Sequence, residues 1–86
     1  MFKTALQTST RDINQTAIAK ARGMYVEAVR QPGTRRCVFY FDDTPEIRDL
    51  IDRYERRECL PIPPKEVLNA RTEIYHLAAR VIRGEL

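Results

Sequence analysis

The densest acidic cluster in this sequence joins Asp42 and Asp43 to Glu46. Paired carboxylates can bind Mg²⁺ or act as general acid and general base. The cluster directly precedes a run with helical periodicity, however, and acidic side chains at a helix N-terminus complement the helix dipole. We therefore interpret these carboxylates as part of a solvated helix start and assign them no catalytic role.

The remaining side chains with reactive chemistry are Cys37, Cys59 and His76. A metal site needs histidine or cysteine partners at short spacing, and the spacing here does not supply them. Cys37 lies within a predicted strand, which favours a packing role over a Cys–His nucleophile. The three glycines are too far apart for a phosphate-binding loop. The sequence thus predicts no enzyme activity, no cofactor, no metal and no evident small-molecule substrate.

Arginine offers the best candidate for a binding site, since twelve of the fifteen basic residues are arginine. The guanidinium group suits bidentate pairing with phosphate and stacking on nucleobases. Basic residues are expected around the tip of a hairpin and at the end of the helix before it: Arg30, Arg35, Arg36, Lys20 and Arg22. Such a tip suits a nucleic-acid groove or a phosphate backbone.

Periodicity and turn chemistry predict the elements that carry these residues. Ser9 is expected to cap a first helix that ends at Gly23. The period then changes to two, which predicts a strand over residues 24–29. Gln31-Pro32-Gly33-Thr34 has the residues of a tight turn and leads into a second strand over residues 36–41.

This second strand is apolar on both faces. Cys37, Phe39 and Phe41 share one face, while Val38 and Tyr40 share the other. A strand of this composition is expected to be central or covered on both sides.

Two helices follow the hairpin. Thr44 and Pro45 have the residue types of a helix cap and first turn, and a stripe of Ile47, Leu50, Ile51 and Tyr54 is expected to face inward. A last helix is predicted from about Pro64 to Arg83. Its buried stripe is expected to contain Val67, Leu68, Ile74, Leu77, Ala78, Val81 and Ile82.

The fold class predicted is therefore α+β: a helix, an antiparallel β-hairpin, and two C-terminal helices packed on one sheet face. A short N-terminal strand over Phe2 to Leu6 is a further option. With 86 residues, residues 1–86 are expected to form a single domain. The N-terminus lacks an apolar signal segment, no stretch is long and apolar enough to span a bilayer, and two cysteines make no disulfide framework. These features predict a cytoplasmic protein without a membrane partner.

Several of these segments together resemble a known family. Ala17 and Gly23, the turn, Phe39-Tyr40-Phe41-Asp42-Asp43 and the helix ending near Tyr54 are similar to a small bacterial and phage family catalogued as a domain of unknown function (DUF5659). The resemblance runs from about residue 10 to residue 80. The prolines between Leu60 and Lys65 and the charged run Arg56-Arg57-Glu58 depart from it. It implies no catalytic or binding residue.

Two classes of function remain open. The first is a non-enzymatic interaction module that self-associates or binds a protein partner, with Val38 and Tyr40 at the contact, because a hairpin exposes strand edges that a second copy can pair with. The alternative is a nucleic-acid-binding accessory or regulatory protein that uses the arginine-rich hairpin tip.

Overall fold

Residues 7–84 are described by a computed structural model, which contains three strands and three helices. The elements are β1 (Gln7–Thr10), α1 (Ile13–Ala21), β2 (Glu27–Arg30), β3 (Cys37–Asp42), α2 (Pro45–Glu55) and α3 (Pro64–Ile82). The predicted α+β class, the antiparallel hairpin and the two C-terminal helices are confirmed. The strand predicted over Phe2 to Leu6 lies outside the described residues.

Strand β3 is the centre of a three-stranded sheet with the order β1-β3-β2. Phe39 is aligned with Thr10 of β1 on one side and with Ala28 of β2 on the other, and both pairings are antiparallel. The central position agrees with the apolar composition of both faces of β3. Because β1 and β2 both run antiparallel to β3, they run parallel to each other, and α1 is the crossover of a split β-α-β unit.

All three helices contribute to the core on one face of this sheet, which we call the inner face. Cys37, Phe39 and Phe41 are buried there, in one cluster with side chains of α1, α2 and α3 such as Ile18, Ile47 and Ile74. The opposite, outer face carries Val38 and Tyr40, which are half-buried, beside the exposed Val29. The expectation that the C-terminal helices pack on one sheet face agrees with this division.

The start of α1 differs from the prediction. Ser9 and Thr10 belong to β1, and the helix is capped by Asp12, whose carboxylate accepts hydrogen bonds from the backbone N–H groups of Asn14 (2.7 Å) and Gln15 (3.2 Å). The physical reason is that Asp12 stands directly before the first helical residue, so its carboxylate reaches the exposed N–H groups. Thr10 instead accepts a hydrogen bond from the Asp12 N–H (3.0 Å).

Helix α1 is buried on more than one side. Four consecutive residues, Thr16 to Ala19, are buried, because α1 contacts both other helices as well as the sheet. Thr16 satisfies its buried hydroxyl by donating to the carbonyl oxygen of Asp12 (2.9 Å). The small side chains of Ala17 and Ala19 let the backbone of α1 approach its neighbours closely.

Two other boundaries and one core assignment also differ. Strand β2 begins at Glu27 and not at Met24, because the sheet pairing with β3 starts only there. In α3, Leu68 was expected in the buried stripe but is 61% exposed. Ala70, which was not in the predicted stripe, is buried. In contrast, α2 begins as predicted, with the Thr44 hydroxyl accepting from Ile47 N–H (3.2 Å).

Helices α1 and α2 end in the same hydrogen-bonding motif but with different residues at the left-handed position. After α1, Gly23 N–H donates to Lys20 and Met24 N–H to Ala19, and Gly23 has φ 85°. After α2, Arg57 and the residue after it make the equivalent bonds, and Arg57 has φ 61°. Both patterns are Schellman motifs, in which glycine is the residue without a steric penalty.

We expect Arg57→Gly to raise the free energy of unfolding by about 1 kcal/mol, because an L residue in the left-handed region carries a penalty of about 1–2 kcal/mol and glycine returns part of this through the flexibility of the unfolded chain. Gly23→Ala at the matched position should lower stability by about the same amount. Urea unfolding followed by circular dichroism measures both. A destabilised Arg57→Gly variant would mean that the arginine side chain contributes more than its backbone strain removes.

Candidate functional site

Arg30 is occupied by contacts within the chain. Its Nε donates to the carbonyl oxygen of Thr34 (2.9 Å), and its Nη1 donates to the carbonyl oxygen of Ile82 at the end of α3 (3.4 Å). The turn it braces has the predicted geometry, with Gly33 at φ 75° and a hydrogen bond from Thr34 N–H to the Gln31 carbonyl. Arg30 therefore joins the hairpin to α3, although its charge still contributes to the tip.

The two basic residues predicted from the end of α1 lie elsewhere. The Arg22 guanidinium forms a 2.6 Å ion pair with the carboxylate of Glu46 at the start of α2. Lys20 borders a separate hollow with Tyr25, Glu73 and Arg80. The structure thus brings together only part of the predicted cluster, and Lys20 and Arg22 do not line the groove described next.

A groove of about 490 Å³ lies beside the hairpin tip, between α3 and the first residues of β3. We call it the arginine groove. It is lined by Arg11, Ile13, Arg35, Arg36, Cys37, Phe39, Tyr75, Ala78, Ala79 and Ile82. Its three arginines are exposed, and within residues 7–84 none of their guanidinium groups has an ion-pair partner. Among residues 7–84, therefore, no acidic side chain pairs with these three positive charges, which surround an apolar floor.

Arg11 was not among the residues predicted for this site. It follows the last residue of β1, Thr10, which is aligned with Phe39 of β3. The chain leaves the sheet at this point, so Arg11 lies at the same end of β3 as Arg35 and Arg36. No clear signal in the sequence marks this strand, because Gln7 to Thr10 are all polar and their hydroxyl groups favoured a helix cap.

Tyr75 of α3 gives the groove an exposed aromatic ring. Its exposed fraction is 49%. Arg71, one turn earlier on α3, lies over this ring with its Cζ 5.2 Å from the centroid, and its Nη2 donates to the Tyr75 hydroxyl (3.2 Å). The cation–π contact and the hydrogen bond together restrict the orientation of the ring.

Cys37 contributes an uncharged surface to the groove. It is buried, and its Sγ donates to the carbonyl oxygen of Ala78 (3.8 Å). Burial raises the pKa of the Cys37 thiol, with a smaller opposing effect from the positive charge of Arg30. The thiol is therefore protonated at neutral pH, unlike the thiolate that a nucleophile requires.

The other residues singled out for chemistry lie apart from one another. Asp43 pairs with Arg48 (3.1 Å) and Glu46 with Arg22, as expected for the acidic start of a solvated helix. Cys59 and His76 are exposed. Within the part of the chain that the structure describes, no group of three or more His, Cys, Asp or Glu side chains is placed to hold a metal ion.

Val38 and Tyr40, the residues predicted for self-association, lie on the outer face of the sheet. Strand β3 is paired on both sides, so it offers no free edge to a second copy. These two side chains are instead accessible from the face, next to Val29 and Glu27 of β2 and Ser9 of β1. A contact through them would be sheet against sheet.

The fold and groove together define a small α+β domain with a split β-α-β sheet and an arginine-lined groove at one end. Residues 7–80 match a family described as a domain of unknown function (DUF5659), and the chain belongs to this family. No significant match was found among curated proteins or among solved structures. Between residues 7 and 84, no helix combines the length and the apolar character needed to cross a membrane.

Proposed function

We propose that this chain is a small non-enzymatic interaction module that binds nucleic acid through the phosphate backbone at the arginine groove. The observation that carries the proposal is the convergence of Arg11, Arg35 and Arg36 on one groove without ion-pair partners in residues 7–84. Each guanidinium can donate two parallel hydrogen bonds to phosphate oxygens.

The charge distribution supports this ligand. The chain has a formal charge of +3, and none of the residues that line the groove is acidic. The acidic residues Asp43 and Glu46 lie at the start of α2, where they pair with arginines outside the groove. A polyanion therefore meets an attractive field at the groove and is disfavoured near α2.

The test compares two triple variants that lose the same charge. Arg11→Ala/Arg35→Ala/Arg36→Ala should weaken binding of a fluorescent oligonucleotide at least about tenfold. It should also make the slope of log K against the logarithm of the salt concentration shallower by about 2–3, because each lost phosphate contact removes about 0.7–0.9 from that slope. Fluorescence anisotropy at low and moderate salt measures both. Arg30 is kept, because its substitution would also remove its bonds to Thr34 and Ile82.

The control is Lys20→Ala/Lys65→Ala/Arg80→Ala, which removes three positive charges outside the groove. This variant should keep most of the affinity. Equal weakening in the two variants would show that net charge and not the groove determines binding. Absence of any salt-sensitive binding by the wild type would reject the proposal.

Self-association is the second candidate function, and the outer face of the sheet, where Val29 is exposed and Val38 and Tyr40 are half-buried, favours it. On this face, Val38, Tyr40 and Asp42 alternate along β3, and Arg36 directly precedes the strand. A second copy packed antiparallel on this face would align the basic end of one strand with the acidic end of the other and stack the apolar middles. Asp42 already has an interaction within its own chain. Its contribution to such a dimer is therefore the negative charge at this end of the strand and not a new ion pair. Two sheets packed in this way form a sandwich about 10 Å thick.

Tyr40→Glu should convert such a dimer to a monomer while the fold persists, because Tyr40 is only half-buried and faces away from the core. Sedimentation velocity measures the oligomeric state, and circular dichroism checks the fold. Leu68→Glu, at an exposed site on α3, is the control that adds the same charge elsewhere. A wild-type chain that is monomeric at high micromolar concentration would reject this second function.

A further inference from the structure

We infer that the arginine groove seats one unpaired nucleobase against Tyr75, so that the ligand is a single strand and not a duplex. This inference rests on the proposed nucleic-acid function and specifies the form of its ligand. The basis for this inference is the apolar part of the groove, because a ligand that made only phosphate contacts would not use it.

The floor of the groove is a surface that a phosphate does not use. Ile13, Phe39, Ala78, Ala79 and Ile82 supply it, and the arginines stand around it. A duplex keeps its bases stacked, so it presents phosphates, sugars and base edges to a protein but no base face. An unpaired base can instead leave the stack and bury a face on an apolar surface, while its flanking phosphates reach the guanidinium groups.

Tyr75 is the side chain suited to receive that base. An aromatic ring that lines a basic groove at 49% exposure is available for stacking. Arg71 restrains it, through the contact with the ring and the hydrogen bond to the hydroxyl. The Arg71 Nε is buried and has no hydrogen-bond partner among the described residues, so this atom of the guanidinium is turned away from solvent. Such a restrained ring loses little freedom when a base stacks on it.

The chemistry of the groove also predicts little base selectivity. Apart from the arginines, the polar side-chain groups that line it are the Tyr75 hydroxyl, which already accepts from Arg71, and the Cys37 thiol, which already donates to Ala78. Stacking does not distinguish bases strongly, because each base has an aromatic face.

The experiment compares three ligands of equal length with the same labelled end: an oligodeoxyadenylate, an abasic deoxyribose-phosphate strand, and a duplex. The wild type should bind the oligodeoxyadenylate about tenfold more tightly than the abasic strand, because stacking of one base on an aromatic side chain contributes an effect of this size. Tyr75→Leu should remove this difference by weakening the oligodeoxyadenylate complex more than the abasic complex. Tyr75→Phe should retain most of it, and Tyr25→Leu, which changes another exposed tyrosine, should retain all of it.

The second readout is the tyrosine fluorescence of the protein, which is measured first on the unsubstituted chain. Tyrosine fluorescence of the wild type should be quenched by the oligodeoxyadenylate and not by the abasic strand, and Tyr75→Phe should abolish that quenching. Equal, arginine-dependent affinities for all three ligands would overturn the base seat and leave the phosphate-binding function standing. No binding of any ligand would reject the function and the base seat together.

Discussion

Phe41→Ala is expected to lower the free energy of unfolding by about 3–5 kcal/mol, the range found when a buried phenylalanine is truncated and a cavity remains. Phe41 is 1% exposed and lies on the inner face of the central strand, against Ile47 and Ile51 of α2 and Thr8 of β1. Small domains commonly have a total stability of only about 5–15 kcal/mol. Urea unfolding followed by circular dichroism should therefore show a much lower midpoint or a chain that is already unfolded.

The matched control is Tyr40→Ala, the neighbouring residue on the same strand. Tyr40 points to the outer face and is half-buried, so its truncation should cost clearly less than that of Phe41. If both substitutions lowered the free energy of unfolding by similar amounts, the outer face would be covered in solution. Self-association of the chain would cover it in this way. Repeating the measurement at several protein concentrations separates the two causes, since only a dimer's stability depends on concentration.

Ala19→Leu is expected to lower stability by about 1–3 kcal/mol through overpacking, even though leucine is a good helix former. Ala19 has no exposed surface, and α1 packs against α3, α2 and the sheet, so a larger side chain at this position has no solvent-filled space to enter. Thermal and urea unfolding measure the effect. Ala21→Leu, near the half-buried end of the same helix, is the control and should be tolerated much better. A stable Ala19→Leu variant would mean that α1 and α3 can move apart at little cost.

The parts of the fold that could be predicted are those in which local signals and burial agree. Thr44 and Pro45 cap α2 as their residue types indicate, and the two apolar faces of β3 correspond to its place at the centre of the sheet. Gly33 supplies the positive φ that the turn needs. In each case a short stretch of sequence contains the whole physical cause of the structure.

The parts that could not be predicted depend on contacts between distant segments. Gln7 to Thr10 forms a strand only because β3 offers a partner about thirty residues later, and only Thr8 and Thr10 face the core, so no apolar alternation marks it. Helix α1 was predicted, but the burial of four consecutive residues in it was not, because this burial comes from enclosure by other elements. Leu68 is apolar and yet exposed, whereas Ala70 and Ile74 are the buried residues of α3.

The candidate site could be predicted only in part for the same reason. Arg35 and Arg36 directly follow the hairpin turn in the sequence, so the prediction of the turn was enough to locate both at the hairpin tip. Sequence spacing could not show that Arg30 would bond to carbonyl oxygens or that Arg22 would pair with Glu46 of another helix. Arg11 follows β1 and Tyr75 lies on α3, and both line the groove. These two elements are far apart in the sequence, so only the folded structure shows that they meet there.

The two outer strands of the sheet join β3 across very different lengths of chain. Val29 and Val38 are neighbours across a short turn, whereas Thr10 meets Phe39 only after α1 and β2 have been traversed. Pairings between distant residues form late in folding because the loop between them must first be closed. Strand β1 is therefore expected to be added last and to detach first in local unfolding. Since Arg11 follows β1 directly, each such opening also dismantles the arginine groove, and a bound ligand would hold this strand in place.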